Sequence, residues 1–345
     1  HLGTDFQPST HLFEQDYVYS AQETQPIDNY AESRNTHTNY THYTIDFPNE
    51  DMRPLLSGNY RLLIDYEDEE GERQQAAVVY FYVLDPKVSI ALMPTTNTDI
   101  DYNASHQQLD VLADCSQLIL RDPKTELFTL ALQNKRWDNA VINPSPTSLI
   151  GNKLVWQHAR SLIFTAGNEF RAFEMFNSNQ PGMNVEDIRW LDPLYHATLR
   201  TDYPARNYLH ILDRNGQSVV RNNDGFDNAT ESEYLMTHFT VKSEHIPGAK
   251  VFINGVWTHN LLSPNYEMQY NEATGCYEAS LFLKTGYYSY QYLTVLPNNQ
   301  QASKTASIEG DFWQTENDYT FLVYYKRNGD RYWQLVGATN PSYKP

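Results

Sequence analysis

Apolar and polar residues alternate along this chain with a period of two, the signature of strands that bury one face. Thr41, Tyr43, Ile45 and Phe47 fall on one side of such an alternation and Tyr40, His42, Thr44 and Asp46 on the other, which predicts a half-buried strand over 40–47. Residues 59–66 and 74–84 are β-branched or aromatic stretches joined by the acidic, glycine-containing run 67–72, a hairpin with a charged tip. A strand restarts at 88–92 and stops at the polar stretch Pro94 to Thr98. Between 100 and 225 the pattern predicts strands at 108–112, 118–121 and 126–133, with a turn at 122–125 and an irregular segment over 168–176. Residues 208–212 and 217–220 read as a hairpin through Asn215-Gly216, and the loop 222–228 closes this region. Further strands follow at 234–241, 250–253, 277–283, 287–295 and 319–326, with a turn at 327–330 leading into 332–336.

No stretch has the length and 3.6-residue period of an amphipathic helix, so the expected sheets are antiparallel and the fold class is all-β. Strands recurring at sandwich-like spacing predict two or three tandem immunoglobulin-like β-sandwiches, with borders near Pro94 and Asp227 and hence domains over 1–94, 95–227 and 228–345. Ile45, Phe47, Tyr60, Leu62, Ile64, Phe252, Leu281 and Leu283 are the strong phases of their strands and are expected in the core. Tyr288, Tyr290 and Tyr292 share one strand face and Tyr287 takes the other; one of these faces is core.

Composition narrows the function. The 345 residues carry 25 Lys+Arg against 43 Asp+Glu, a net charge of −18 that argues against a nucleic-acid binder. No apolar run reaches the ~20 residues of a membrane helix, so no membrane insertion is expected. Cys115 and Cys276 lie far apart and form no metal or redox motif; both are expected as buried small hydrophobes. His37 and His42, five apart on a strand, point to opposite faces and do not share a metal. The acidic run Asp65 to Glu72 lacks the spacing of a defined Ca²⁺ loop and reads as a solvated tip. With 43 acids, carboxylate pairs arise by chance, and no nucleophile elbow, phosphate loop, dinucleotide fingerprint or zincin motif is present. The chain is expected to be non-enzymatic, with no cofactor and no metal.

Three segments nevertheless carry a resemblance. Ser33-Arg34-Asn35-Thr36, Tyr40-Thr41-His42-Tyr43, Phe47-Pro48-Asn49 and Leu56-Ser57-Gly58-Asn59-Tyr60, then Gly167-Asn168-Glu169-Phe170-Arg171-Ala172-Phe173-Glu174, and finally Leu283-Lys284-Thr285-Gly286-Tyr287-Tyr288, Glu309-Gly310 and Thr315-Glu316-Asn317-Asp318-Tyr319 occur in order along almost the whole chain. Together they resemble the type IX secretion system plug proteins. Two departures stand out: His1 to Phe6 replaces the His-Cys-Asp-type opening, and Lys284-Thr285-Gly286 replaces Lys-Gln-Gly. The resemblance implies a first sandwich lacking its first strand. It also implies a periplasmic location at the outer membrane and, as partner, an outer-membrane secretion translocon whose periplasmic mouth the protein closes.

The last third, through Val251 to Trp257, Tyr277 to Leu281 and Gly286 to Tyr292, is also similar to early-set immunoglobulin-like modules that include glycogen-binding domains. That likeness implies a carbohydrate-binding alternative in which Trp257 and Trp313 stack on sugar rings, set against the weightier reading that strand aromatics fill the core. The candidate partner-binding residues are therefore Asn168, Glu169, Phe170, Arg171, Trp257, Tyr288 and Trp313. Asn168 to Arg171 combine an aromatic anchor with an ion-pairing set, as interface residues do, and equally as residues that satisfy loop backbone between sheets do.

Overall fold

A computed structural model describes residues 1–22, 24–225, 227–297 and 303–339 and the backbone of 342–343; Phe226 of the expected 222–228 loop lies outside the described residues. Regular structure is almost entirely strand, and the α-helices are single turns at Glu14–Tyr17 and Pro123–Glu126. The chain is all-β and built of packed sheets.

The acidic-tipped hairpin forms as the alternation predicts, with strand Gly58–Glu67 antiparallel to Arg73–Val83 and Tyr60 opposite Phe81. These two strands make a sheet of their own, joined at the base where Leu2 bridges Asn59. Burial therefore fades along the hairpin: Tyr60 is buried, while Leu62 and Ile64 are only half-buried. The 40–47 alternation contracts to a short strand, Thr41–Tyr43, paired with Tyr30–Glu32, and Ile45 and Phe47 are half-buried.

Two five-stranded sheets form the first sandwich. One contains Ser89–Thr95, His106–Asp114, Lys153–Trp156 and Ile163–Thr165; the other pairs Leu127–Gln133 with Asn317–Tyr325, flanked by Gln334–Thr339. Their facing sides share one core, in which Trp156 meets Phe321 and Phe164 meets Tyr319 at ring separations of 5.1 and 5.5 Å. Pro94, expected near a border, lies inside a strand opposite Leu109. That strand has a single sheet neighbour, and an edge tolerates a residue without an N–H donor. Residues 118–121 form no strand; Leu118 is buried in the core as a loop residue, and the Ile119 carbonyl accepts from Tyr325.

The second sandwich comes from a ten-stranded sheet that includes Arg171–Met175, Val185–Leu191, Leu194–Leu199, Tyr234–Lys242, Lys250–Asn254, Cys276–Lys284 and Gly286–Val295. Phe173 and Phe239 lie in strands far apart in the sheet order yet their rings are 5.5 Å apart, so the sheet folds over onto itself around a shared core. Tyr288, Tyr290 and Tyr292 belong to that core, with Phe252 and Leu281 also buried and Leu283 half-buried. Antiparallel pairing holds with one exception among the named strands, since Leu194–Leu199 runs parallel to Tyr234–Lys242. Cys115 and Cys276 are both free and buried.

The order of strands corrects the linear division of the chain. Leu127–Gln133 finds its neighbour in Asn317–Tyr325, so the sandwich begun at residue 89 is completed only by the last strands. Residues 171–308 are inserted between, and the expected border near Asp227 falls within this inserted unit. Alternation identifies a strand's buried face and is silent on which strand lies beside it.

Candidate partner-binding site

The chain crosses from one sandwich to the other twice, outward at 166–171 and back at 308–317, and the two crossings are bonded to each other. Phe312 N–H and the Thr315 hydroxyl donate to the Gly167 carbonyl at 2.8 and 2.9 Å, and Asn168 Nδ2 donates to the Glu309 carbonyl at 3.0 Å. Asn317 Nδ2 donates to the Ala166 carbonyl at 2.8 Å, and Glu316 N–H to Glu169 Oε1 at 3.2 Å. Gly167 has φ +66°, a left-handed conformation that glycine adopts without strain. Backbone polar groups at such a crossing have no ladder to join, so side chains satisfy them.

Arg171 opens the inserted unit and is its polar hub. Its Nε donates to both oxygens of Glu309 at 3.1 and 3.0 Å, Nη1 to Asp202 Oδ1 at 2.9 Å, and Nη2 to the Tyr203 carbonyl at 2.8 Å. Asp202 Oδ2 in turn accepts from the hydroxyls of Tyr290 and Tyr292, both at 2.7 Å. Burial alone would depress the guanidinium pKa, but Glu309 and Asp202 reverse this and hold Arg171 charged. The network is structural cement, linking three stretches distant in sequence.

A second polar cluster lies against Phe170, which is buried. Its N–H donates to Asp213 Oδ2, while Asp213 Oδ1 accepts from Asn215 N–H at 3.0 Å. Burial, reinforced by Glu169 and Glu316, pushes the Asp213 carboxyl up to about 7 against those two bonds. Glu169 is likewise raised by burial, although the Tyr208 hydroxyl donates to its Oε1 at 2.7 Å. Glu169 Oε2 and Asn215 Oδ1 have no hydrogen-bond partner among the described residues. Among those residues, no group of three His, Cys, Asp or Glu is arranged to hold a metal ion.

The structure thus brings Asn168, Glu169, Phe170 and Arg171 together at the joint, with Trp313 half-buried on the return crossing, its N–H donating to the Ala104 carbonyl at 3.1 Å. Trp257 and Tyr288 lie elsewhere, in the inserted unit. Trp257 is half-buried, donates its indole N–H to the Ser289 carbonyl at 2.8 Å and sits edge-on to Tyr288 at 5.3 Å. Tyr288 stacks on Phe173 at 5.2 Å. These aromatics are engaged inside the protein.

Residues 1–85 match the family described as "Type 9 secretion system plug protein 1st domain". The chain belongs to the type IX secretion system plug family. A crystal structure of a hypothetical protein from Parabacteroides merdae ATCC 43184 is similar over nearly the whole length, at 35% identity and a TM-score of 0.94, covering 99% of this chain and 86% of that one. No curated protein matches. The plug family is a component of the secretion machinery, which gives the chain a role connected with type IX secretion and a place in the cell envelope. Among the described residues, no helix is long and apolar enough to cross a membrane.

Of the segments that carry the family resemblance after residue 160, Gly167 to Glu174 leads out along one crossing and Glu309-Gly310 and Thr315 to Tyr319 lead back along the other, while Leu283 to Tyr288 lies within the strands of the inserted unit. Two features escape a reading of the sequence. Asp213 looks like the first residue of an Asp-Arg-Asn-Gly turn, and its bond to Phe170 N–H across 43 residues has no local signal. The exposed aromatics Tyr80, Tyr82 and Trp137 come from a strand and a distant loop brought near one another through Phe6, a proximity with no signal in the local pattern.

Proposed function

We propose that this chain is a non-enzymatic periplasmic subunit that docks on the periplasmic mouth of the outer-membrane type IX translocon and closes it. The observation that carries this reading is the apolar hairpin within the family-matched residues 1–85. Leu63, Tyr80 and Tyr82 lie on one face of the two-stranded sheet and are 45%, 59% and 50% exposed. Phe6 extends this face, its ring 4.6 Å from that of the exposed Trp137 and 6.5 Å from Tyr80. A face of this kind, with Arg61 opposite Tyr80 and the acidic 67–72 tip at the far end of the same hairpin, has the aromatic anchors and neighbouring charge of a docking surface. A releasable seal calls for a standard interface of roughly 1,200–2,000 Å².

Affinity purification of the tagged protein from detergent-extracted outer membranes tests the proposal. Recovery of the translocon barrel with the native chain, and its loss with Tyr80→Ala/Tyr82→Ala, is the expected result. Absence of the barrel from the native eluate overturns it. Retention on a glucan column would favour the carbohydrate reading instead, which the internal engagement of Trp257 and Tyr288 leaves without a site of its own.

A further inference from the structure

Leu194–Leu199 and Tyr234–Lys242, the parallel pair of the inserted unit, each send one histidine to the face away from the core. Ala197, Leu199, Leu235 and Phe239 are buried on the inner face, so the period of two turns His196 and His238 outward, where both are half-buried. The register sets His196 opposite Met236 and Thr198 opposite His238, which makes the two histidines diagonal neighbours across the seam. Their rings meet edge to edge. His196 Nδ1 lies 2.8 Å from His238 Nε2, with ring centroids 5.1 Å apart and planes 17° from parallel. Nitrogens this close hold a single proton between them, so one donates and the other presents a lone pair.

On its far side His238 Nδ1 is 2.7 Å from the Oγ of Ser280, which lies directly opposite on Cys276–Lys284. That bond holds the ring with Nε2 towards His196, the kind of support that orients imidazole ligands in metal sites. A cavity of about 480 Å³ opens over the pair, lined in part by both histidines, Glu186, Asp187, Arg189 and Thr198. Asp187 is paired with Arg189, and with two carboxylates against one guanidinium the wall is net negative. Such a wall favours a cation. Burial and the neighbouring His196 lower the His238 pKa, which favours its neutral ring.

We propose that His196 and His238 are the two protein ligands of a site for a borderline divalent metal ion such as Zn²⁺, which staples the parallel strands together. The ion replaces the shared proton, and that proton passes to the outer nitrogen of its own ring, so both imidazoles stay neutral and no proton is gained or lost. Metal–nitrogen bonds of about 2.0–2.1 Å at a tetrahedral angle set the two nitrogens about 3.3 Å apart, so the pair opens by about half an ångström. Among the described residues no third His, Cys, Asp or Glu completes the set, and the remaining positions fall to water. The position of the staple gives it a consequence. Val185–Leu191 is the last strand in the sheet order and is carried by Leu194–Leu199, so the ion fastens this outer hairpin to the rest of the sheet. The site lies outside residues 1–85 and does not depend on what the 58–83 hairpin docks against.

The probe is Zn²⁺ added to the full chain without a purification tag, followed through the ¹⁵N resonances of the histidine rings. The expected result is a shift at His196 Nδ1 and His238 Nε2 that saturates at one ion per chain, with a dissociation constant below about 100 μM. His196→Gln and His238→Gln each weaken binding by about tenfold or more, and Mg²⁺, which takes oxygen ligands, does not displace the Zn²⁺. At saturation, amide exchange at 195–198 slows by about tenfold or more, because parting the two strands must first release the ion. Ring resonances and exchange are both read on the native chain, so they decide the question even where a variant fails to fold. The proposal is overturned if Zn²⁺ leaves these two ring nitrogens unshifted, if either variant binds as the native chain does, if Mg²⁺ competes equally, or if exchange at 195–198 is unchanged at saturation.

Discussion

Arg171 and Glu309, 138 residues apart, meet through Nε and both carboxylate oxygens at 3.1 and 3.0 Å at the point where the chain leaves one sandwich and returns to it. Glu309 also accepts from Tyr292 N–H at 2.8 Å, so the pair fixes a central strand of the inserted unit as well. Removing one member strands the other charge in a buried setting. Arg171→Met or Glu309→Gln is expected to cost about 3–5 kcal/mol in urea unfolding. A loss under ~1 kcal/mol, typical of exposed pairs, would show that the network is not holding the joint.

Gly216 has φ +79°, and a Cβ there would lie 2.8 Å from Phe170 Cε1 and 3.2 Å from Gly255 Cα. The aromatic ring has little room to retreat, being buried beside Asp213. Gly216→Ala is therefore expected to lower stability by about 1–3 kcal/mol, measured by thermal unfolding at fixed pH. The same change at Gly71, where nothing lies within 4 Å of the new methyl, leaves only the backbone cost of φ +80°.

Asp213 should make stability depend on pH in the direction opposite to most carboxylates. Its folded pKa, pushed from 3.8 to about 7 chiefly by burial, means that the folded chain holds a proton the unfolded chain releases near 3.8. That stabilisation is complete below about pH 4 and is lost as pH rises through about 7. Relative to Asp213→Asn, which does not titrate, the native chain is expected to lose stability between pH 4 and 7.5, by at most about 4 kcal/mol. Parallel unfolding curves at several pH values check this; a difference that stays flat would place the carboxylate in water.

The acidic tip divides into two kinds of residue. Asp68 accepts from the N–H groups of Glu70 and Glu72 at 3.0 and 2.9 Å and from Gln74 Nε2 at 3.0 Å, and these bonds hold its pKa below the ordinary value. Charge neutralisation at Glu67, Glu69 and Glu70 is expected to leave the fold intact and to change association with a basic partner by at most about tenfold, mainly in its on-rate. Asp68→Ala should loosen the turn itself, seen as faster amide exchange at Glu70 and Glu72. Surface plasmon resonance at low and high salt separates steering from turn formation.

What the sequence reveals here depends on how local the determinant is. The 58–83 hairpin was readable because its turn and both strands lie within one short stretch. The strand expected at 208–212 is not formed: its residues favour extended backbone and the turn at Asn215-Gly216 is made, but Ser218–Val220 pairs with 286–288 and Asp213 gives its carboxylate to Phe170 N–H and Asn215 N–H. The pairing of Leu127–Gln133 with Asn317–Tyr325 had no signal at all, since alternation in each strand is satisfied by any apolar neighbour. Asn168 to Arg171 stand out in the sequence as a mixed polar and aromatic run, yet their hydrogen-bond partners at Asp202, Tyr203, Tyr208, Asp213, Glu309 and Glu316 become visible only once the chain is folded.

The late return of Asn317–Tyr325 also governs the order of events during synthesis. A chain emerging from its N-terminus exposes Val111, Trp156 and Phe164 long before the strands that cover them, Asn317–Tyr325 and Gln334–Thr339, exist. Loop closure over so long a span cannot be compensated by native contacts until the final strands arrive. The nascent protein consequently keeps these apolar residues uncovered until residues 317–339 have been made, and their burial is a late event however early their own strands are complete.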